Sequence, residues 1–312
     1  MRHLALEFLK VTQSAAIASS PWVGRGRKHE ADDAATTAMR EVLKQIEMAG
    51  VVVIGEGELD EAPMLYIGEQ LGSGQGPQLD IAVDPLEGTN LVAGGLNNSC
   101  TVIAVAPRGS LLHAPDMYME KLTVGPEAIG VVDIGEPLIE NVRRVAAALG
   151  KQMNNMTIMI QSRERHQAAI DRLREAGARI RLFDDGDVTC AIAAAIEGSG
   201  IDLFYGIGGA PEGVISAVAI KCLGGEMQGR LLPANAAEYD RCVRMGLSNP
   251  NQQLSLEDMV RSSECIFSAT GVTSGLLLDG VSTEQVGNIV THSLLAYNGS
   301  GGIHFVRTLH PY

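Results

Sequence analysis

The stretch LDIAVDPLEGTN (residues 79–90) runs an apolar strand into an acid, a proline, a second acid three positions on, and then a glycine and a threonine. Asp84 and Glu87 thus stand with the Thr89 hydroxyl at the end of a strand apolar enough to be buried, with no histidine or cysteine beside them. A second apolar strand, VVVIG (51–55), ends the same way, releasing Glu56, Glu58, Asp60 and Glu61 in GEGELDEAPM. A third acidic pair, Asp32 and Asp33, lies in HEADDAATTAM (29–39), where the spacing predicts the opening of a helix. If the two strands are neighbours in one sheet, their acids leave it at the same edge.

Such a crowd of carboxylates is unstable by itself. Two unit charges about 4 Å apart repel by about 4 kcal/mol at an effective dielectric near 20, so the cluster must take up protons, face water or bind cations. Oxygen ligands without His or Cys suit Mg²⁺ or Mn²⁺, and two adjacent ions would polarise a phosphoryl oxygen and make water nucleophilic. The Thr89 hydroxyl then has a use in orienting that water. Taken one at a time, acids after strands are ordinary helix caps or solvated loop residues. The joint pattern argues for more, because Gly55, Gly57 and Gly88 permit close backbone approach and Pro85 stiffens the exit.

Outward from this centre, Leu4, Phe8, Val11 and Ala15 predict a helix over 4–18, and Ala35, Met39, Val42, Leu43 and Ile46 another over 33–49. A helix-prone APMLYIGEQLG (62–72) separates the two acidic strands, and strand-like CTVIAVAP (100–107) and MYMEKLTVG (117–125) follow. From Pro137 the texture becomes strict alternation: helix LIENVRRVAAAL, strand MTIMI, helix ERHQAAIDRLREAG, strand ARIRLF, helix VTCAIAAAIEG, strand IDLFYG, helix EGVISAVAIKCLGG. Crossover connections of that kind predict a largely parallel, helix-covered sheet. Beyond about residue 257 the strands SECIFSAT, IVTHSLLAY and IHFVRTLH return, the last two joined hairpin-fashion by YNGSGG, and the pattern leaves open which sheet they complete. The expected division is an α+β metal-site domain over 1–134, with 257–312 as its candidate return, and an α/β substrate domain over 135–256.

The 312 residues and 46% hydrophobic content are enough for a substantial core. A formal charge of −13 disfavours nucleic-acid or anionic-membrane surfaces, so an anionic ligand needs a local basic cluster. No run of eighteen apolar residues occurs, the N-terminal helix carries charges, and five scattered cysteines without a CxxC fit reduced thiols. The expected setting is the cytoplasm, with no membrane and no nucleic-acid partner.

GEGELDEAPMLYIGE (55–69), DPLEGTN (84–90), APDMYMEKL (114–122) and FYGIGGAPEGV (204–214) together closely resemble the bacterial class II fructose-1,6-bisphosphatases, and the likeness covers nearly the whole chain. That family stands among the lithium-sensitive, metal-dependent sugar and inositol phosphatases. The resemblance implies a layered α/β/α/β/α fold with two sheets, an α/β (α+β) class, and hydrolysis of fructose 1,6-bisphosphate to fructose 6-phosphate and phosphate in gluconeogenesis. It implies two or more Mg²⁺ or Mn²⁺ ions held by Asp32, Glu56, Asp84, Glu87 and Glu212, with Thr89 and Asp60 as the catalytic pair that positions water. Substrate contacts implied are Lys28, Glu87, Gly88, Thr89, Tyr118, Arg163, Glu164, Arg165, Asp185, Gly186, Asp187 and Gly209, and a homodimer or homotetramer would be in keeping with the family. GRGRKHEADD around Lys28, QSRERH without a proline, and a short LLPANAAEYDRC depart from the family pattern, which bears on the distal-phosphate and sugar contacts rather than the chemistry.

Three rival readings remain at this stage. A bifunctional enzyme also taking sedoheptulose 1,7-bisphosphate needs only a slightly different reach. FDDGDVT (183–189) contains DxDxT, the nucleophile motif of haloacid-dehalogenase-type phosphatases, with Asp185 as nucleophile and Asp187 as acid. That motif normally opens its domain, and no downstream lysine with a paired-acid loop follows. A non-catalytic sugar-phosphate sensor is the third, though a sensor has no need of Thr89 beside metal acids. GIGGAPEGV lacks the third glycine of a dinucleotide fingerprint, Pro211 standing in its place, and the seven histidines show no paired ligand spacing; only His166, beside Arg165, is expected near the site.

Overall fold

The computed structural model describes residues 1–57, 64–247, 249–284, 287–298 and 302–311. In chain order it begins with α1 (Ala5–Ser19), α2 (Lys28–Leu43), β1 (Ala49–Ile54), β2 (Gln70–Leu71), β3 (Gln78–Glu87), α3 (Thr89–Gly94) and β4 (Cys100–Pro107). The middle of the chain gives β5 (Tyr118–Val124), α4 (Leu138–Ala148), β6 (Thr157–Gln161), α5 (Gln167–Glu175), β7 (Arg179–Phe183), α6 (Asp187–Ala193) and β8 (Leu203–Gly209). There follow α7 (Ala210–Leu223), β9 (Glu226–Leu231), α8 (Ala236–Arg244), β10 (Gln253–Leu254) and α9 (Leu256–Met259), then β11 (Ile266–Gly271), β12 (Ser282–Thr283), β13 (Ile289–Tyr297) and β14 (Ile303–His310). Two sheets with helices laid on them make a layered α/β fold, and the chain divides into two compact units, 1–111 with 262–312 and 112–261.

In the first unit the strand order is β12-β13-β11-β4-β3-β1-β2, with β14 also paired to β13. The returning C-terminal strands therefore complete the first sheet, the question the pattern left open. β1 and β3 are parallel neighbours, and the other pairings of this sheet are antiparallel. Leu79, Ile81 and Val83 of β3 share a core with Phe8, Val11 and Ala15 of α1 and Ala31, Ala35, Met39 and Leu43 of α2. The alternate residues Asp80, Ala82 and Asp84 are thereby turned to the opposite face.

Two expectations change here. α2 starts at Lys28, a turn earlier than the spacing predicts, so Asp32 and Asp33 lie in its second turn instead of opening it. An Arg27–Glu30 ion pair at 2.5 Å spans that first turn, with Glu30 at the positive end of the helix dipole. The helix expected over 62–72 is absent from the described part of that stretch, which turns through left-handed Leu65 (φ 55°) and Gly68 (φ 94°) into β2. Left-handed residues cannot continue a right-handed helix.

In the second unit the order is β10-β9-β5-β8-β6-β7. The sheet is mixed, not largely parallel. The crossovers keep β6, β7 and β8 running one way, as the alternation predicts, and β9 follows the same direction, but β5 slots antiparallel between β8 and β9. β5 comes from outside the alternating run, so the pattern reads it as a continuation of the first half. Leu122, Val142, Val145, Ile158, Ile160, Ile170 and Leu203 form part of a separate core under α4 and α5. Among the described residues no helix is long and apolar enough to cross a membrane.

Candidate active site

Because β1 and β3 are parallel and Ile54 is level with Ala82, Glu56 leaves β1 at the height where Asp84 ends the regular part of β3. The acids of both strands emerge at one edge. Residues 65–67 lie back against the end of β1: the Glu56 amide donates to Leu65 O at 3.0 Å and the Ile67 amide to Gly57 O at 2.8 Å. A side chain at Gly55 would sit 2.0 Å from Leu65 O, so only glycine admits this return. Glu69, buried, accepts the Leu65 amide and the Arg40 Nε at 2.6 Å, tying the return to α2. Asp60 falls between these anchors and lies outside the described residues.

Asp84 and Glu87 are three residues apart, which in a regular strand puts their side chains on opposite faces. Against β4, however, Asp84 faces Val102 and Glu87 faces Cys100, so β3 carries one extra residue between the two acids. That bulge, at Pro85–Leu86, restores a common face. The proline fits because the bulge removes a ladder position its missing N–H could not fill. The Leu86 amide donates to Asp84 Oδ1 at 3.0 Å, and the Asp84 and Glu87 carboxylate oxygens come within 4.8 Å of each other. Glu87 is buried; Gly88 then takes a left-handed conformation (φ 80°) that delivers Thr89 as the first residue of α3.

The electrostatics match the crowding. Burial, and then repulsion from Asp32 and Asp33, pushes the Glu56 carboxyl up to about 7. Burial and Asp33 push Asp32 up to about 6, against a small opposing pull from His29. Glu56 therefore senses the α2 acids from a separate element. A site that penalises its own carboxylates, offers only oxygen donors and is partly buried fits a hard divalent cation, which would remove both penalties at once. Lys28 stands exposed at the start of α2.

In the second unit, parallel β6, β7 and β8 release their C-terminal loops at one edge, where open sheets of this kind bind ligands. Those loops carry Arg163–His166, Asp185–Asp187 and the Gly209–Glu212 turn into α7. Arg163 Nη2 donates to Asp185 Oδ1 at 2.5 Å. Arg165 donates from Nε (2.9 Å) and Nη2 (2.6 Å) to Ile207 O, and from Nη2 to Gln161 Oε1 at 2.8 Å. Its guanidinium also lies 4.9 Å from the centre of the Tyr118 ring, which is 54% exposed. Tyr118 is there because β5 pairs it with Gly209. Gly186, left-handed at φ 82°, precedes Asp187 at the head of α6, and Glu164 is exposed.

The glycines of GIGGAPEG have specific occupants in place of the space they leave. A Cβ at Gly208 would lie 2.5 Å from Asp187 Oδ2, and one at Gly209 would lie 1.9 Å from Glu212 Oε2. The Glu212 carboxylate thus folds back over Gly209 in the first turn of α7. His166 is buried, its Nδ1 2.9 Å from Gln161 O and its Nε2 accepting the Ile207 amide at 2.9 Å, so it ties the ends of β6 and β8 together. Sequence reasoning missed Lys121, which is fully buried against Asp187 and Gly209, and the Arg40–Glu69 anchor. The one signal for Lys121 is that it shares a strand face with Met119 and Thr123, a face whose residues are all buried here.

Residues 2–310 match the family model described as bacterial fructose-1,6-bisphosphatase, glpX-encoded. The chain is 48% identical to fructose-1,6-bisphosphatase 1 class 2 of Escherichia coli (strain K12), over 99% of this chain and 95% of that protein. It is 48% identical, over the same shares, to the class 2 fructose-1,6-bisphosphatase of Shigella flexneri. With the class 2 enzyme of Haemophilus influenzae the identity is 45%, over 99% of this chain and 96% of that one.

Proposed function

Since the chain belongs to the glpX-encoded family of bacterial fructose-1,6-bisphosphatases, and is thus a gluconeogenic phosphoric monoester hydrolase acting on fructose 1,6-bisphosphate, we propose that Asp32, Glu56, Asp84, Glu87 and Glu212 hold its divalent cations. The observation that carries this reading is the bulge that turns Asp84 and Glu87 to one face, beside the strand that releases Glu56. Mg²⁺ or Mn²⁺, two or more per site, would when bound neutralise phosphoryl charge and lower the pKa of water. The chain's own residues do the rest. Thr89 and Asp60 orient the attacking water in line with the 1-phosphate; the bond from phosphorus to the C1 oxygen breaks, leaving fructose 6-phosphate and phosphate.

The Glu87-Gly88-Thr89 turn cradles the reacting phosphate, while Lys28 and Arg165 supply the local positive charge that an acidic protein needs for the distal one. Arg163, Glu164 and Tyr118 complete that pocket, and Asp185, Gly186, Asp187 and Gly209 accept or approach the sugar hydroxyls. The pairing of the Asp185 carboxylate with Arg163 speaks against the aspartyl-phosphate reading, which needs that carboxylate free to attack phosphorus. The protein acts in the cytoplasm, and as a homodimer or homotetramer, which light scattering can check.

The test is phosphate release from fructose 1,6-bisphosphate with Mg²⁺ or Mn²⁺, with and without chelator, for the wild type, Glu56→Gln and Asp84→Asn. Expected are activity abolished by chelator and a loss of at least about 100-fold in kcat/KM for either variant. Full activity in chelator, or wild-type rates in both variants, would refute the cation assignment.

A further inference from the structure

We propose that Lys121 is a positioning residue for sugar recognition: it fixes Asp187 so that a single carboxylate oxygen is presented to a substrate hydroxyl. This deepens the functional reading above and rests on its placement of Asp187 and Gly209 at the sugar.

Lys121 lies in the middle of β5 with its side chain fully enclosed. An enclosed ammonium must be paired and hydrogen-bonded, and replacing such a pair by apolar residues is often neutral or stabilising, so stability alone gives little reason for it. Its Nζ donates to Asp187 Oδ2 at 2.5 Å and to Gly209 O at 2.7 Å. Both partners are residues of the proposed sugar pocket, and they come from different loops. Two glycines make room for the arrangement. A Cβ at Gly208 would meet Asp187 Oδ2 at 2.5 Å and Lys121 Nζ at 3.3 Å; one at Gly213 would meet Met119 Sδ at 2.6 Å and the Lys121 stem at 3.5 Å.

The consequence falls on the other oxygen of Asp187. Oδ1 is buried, and no group among the described residues donates to it. With Oδ2 held by the ammonium, the carboxylate cannot rotate to exchange its oxygens without breaking a charge-assisted bond. Oδ1 is therefore a fixed acceptor, and a sugar hydroxyl is the donor class it suits. Without Lys121, Asp187 loses that orientation and the Gly209 carbonyl loses its partner.

The experiment measures the Kd for fructose 6-phosphate by calorimetry and the KM and kcat for fructose 1,6-bisphosphate, using wild type, Lys121→Met, Asp187→Asn and the double variant, each checked by thermal melting. A hydrogen bond to a charged acceptor sets the expected scale: Lys121→Met weakens Kd and KM together by roughly 10- to 100-fold while kcat moves less. The double variant should bind no more weakly than Asp187→Asn alone, because Lys121 acts through that carboxylate. If Lys121→Met fails to fold, Lys121→Gln, which keeps an N–H donor and should recover part of the binding, carries the same comparison. Normal Kd in Lys121→Met with weakened Asp187→Asn overturns the role of Lys121 alone, as does a Lys121→Met loss that multiplies on top of Asp187→Asn. Normal binding by Asp187→Asn overturns the sugar contact itself, and the inference with it.

Discussion

Cation binding by this protein should fall steeply between pH 8 and pH 6, well above the ordinary range for carboxylates. The perturbation is the proton. Glu56 is pushed up to about 7 and Asp32 to about 6, mainly by burial, and both must be ionised to act as ligands. At pH 8 the joint ionised fraction is about 0.9, whereas at pH 6 Asp32 is about half ionised and Glu56 about one-tenth, a product near 0.05. The apparent affinity therefore drops by roughly 20-fold, and binding at pH 6 releases about 1.4 protons. Isothermal calorimetry with Mn²⁺ alone, in buffers of different ionisation enthalpy at the two pH values, reads both quantities. A Kd that is the same at pH 6 and 8, with no proton release, would show that these acids are not ligands. The metal-free fold should show the complementary trend. Because the folded-state values lie above the ordinary values of 3.8 for Asp32 and 4.5 for Glu56, ionisation opposes folding, and stability declines as pH rises from about 4 through 7. Saturating cation reverses that slope.

Three further outcomes are expected. Gly209→Ala, at a position whose backbone (φ −62°, ψ 140°) any residue adopts, should displace only the Glu212 carboxylate; phosphate release falls at least about tenfold with little change in melting temperature, and an unchanged rate would exclude Glu212 from the reaction. Gly55→Ala drives a methyl group into the Leu65 carbonyl, a backbone atom that cannot step aside, so urea titration should register a loss of about 1–3 kcal/mol. Arg40→Met leaves the buried Glu69 carboxylate without its cation and should cost about 3 kcal/mol, much of it regained in Arg40→Met/Glu69→Leu; a single variant as stable as wild type would show that the anchor contributes nothing.

Much of the first unit could be read from the chain because its signals are local. Acids at the ends of two buried strands imply a shared edge once those strands are neighbours, and the parallel pairing of β1 with β3 supplies that condition. The placing of β5 was not legible, since an apolar strand does not reveal its partners when they lie some 80 and 100 residues further along the chain. The stretch over 62–72 misled for another reason: Leu65 has no sequence mark of a left-handed backbone, and only the buried Glu69 holding its amide makes that conformation tolerable. Lys121 was passed over because a lysine in a strand reads by default as a solvent-facing residue, and only the layering of α6 and α7 on that side of β5 makes it an interior one. Asp185 and Gly186, by contrast, form the strand-to-helix turn that the sequence predicts, and Asp187 opens α6.

The supernumerary residue between Asp84 and Glu87 lets a proline stand within a paired strand without turning the two acids apart. Deleting Leu86 would leave the two acids two positions apart and still on one face of β3, but it would force Pro85 into the ladder opposite β4, so the loss should fall on sheet stability rather than on the pairing of the carboxylates.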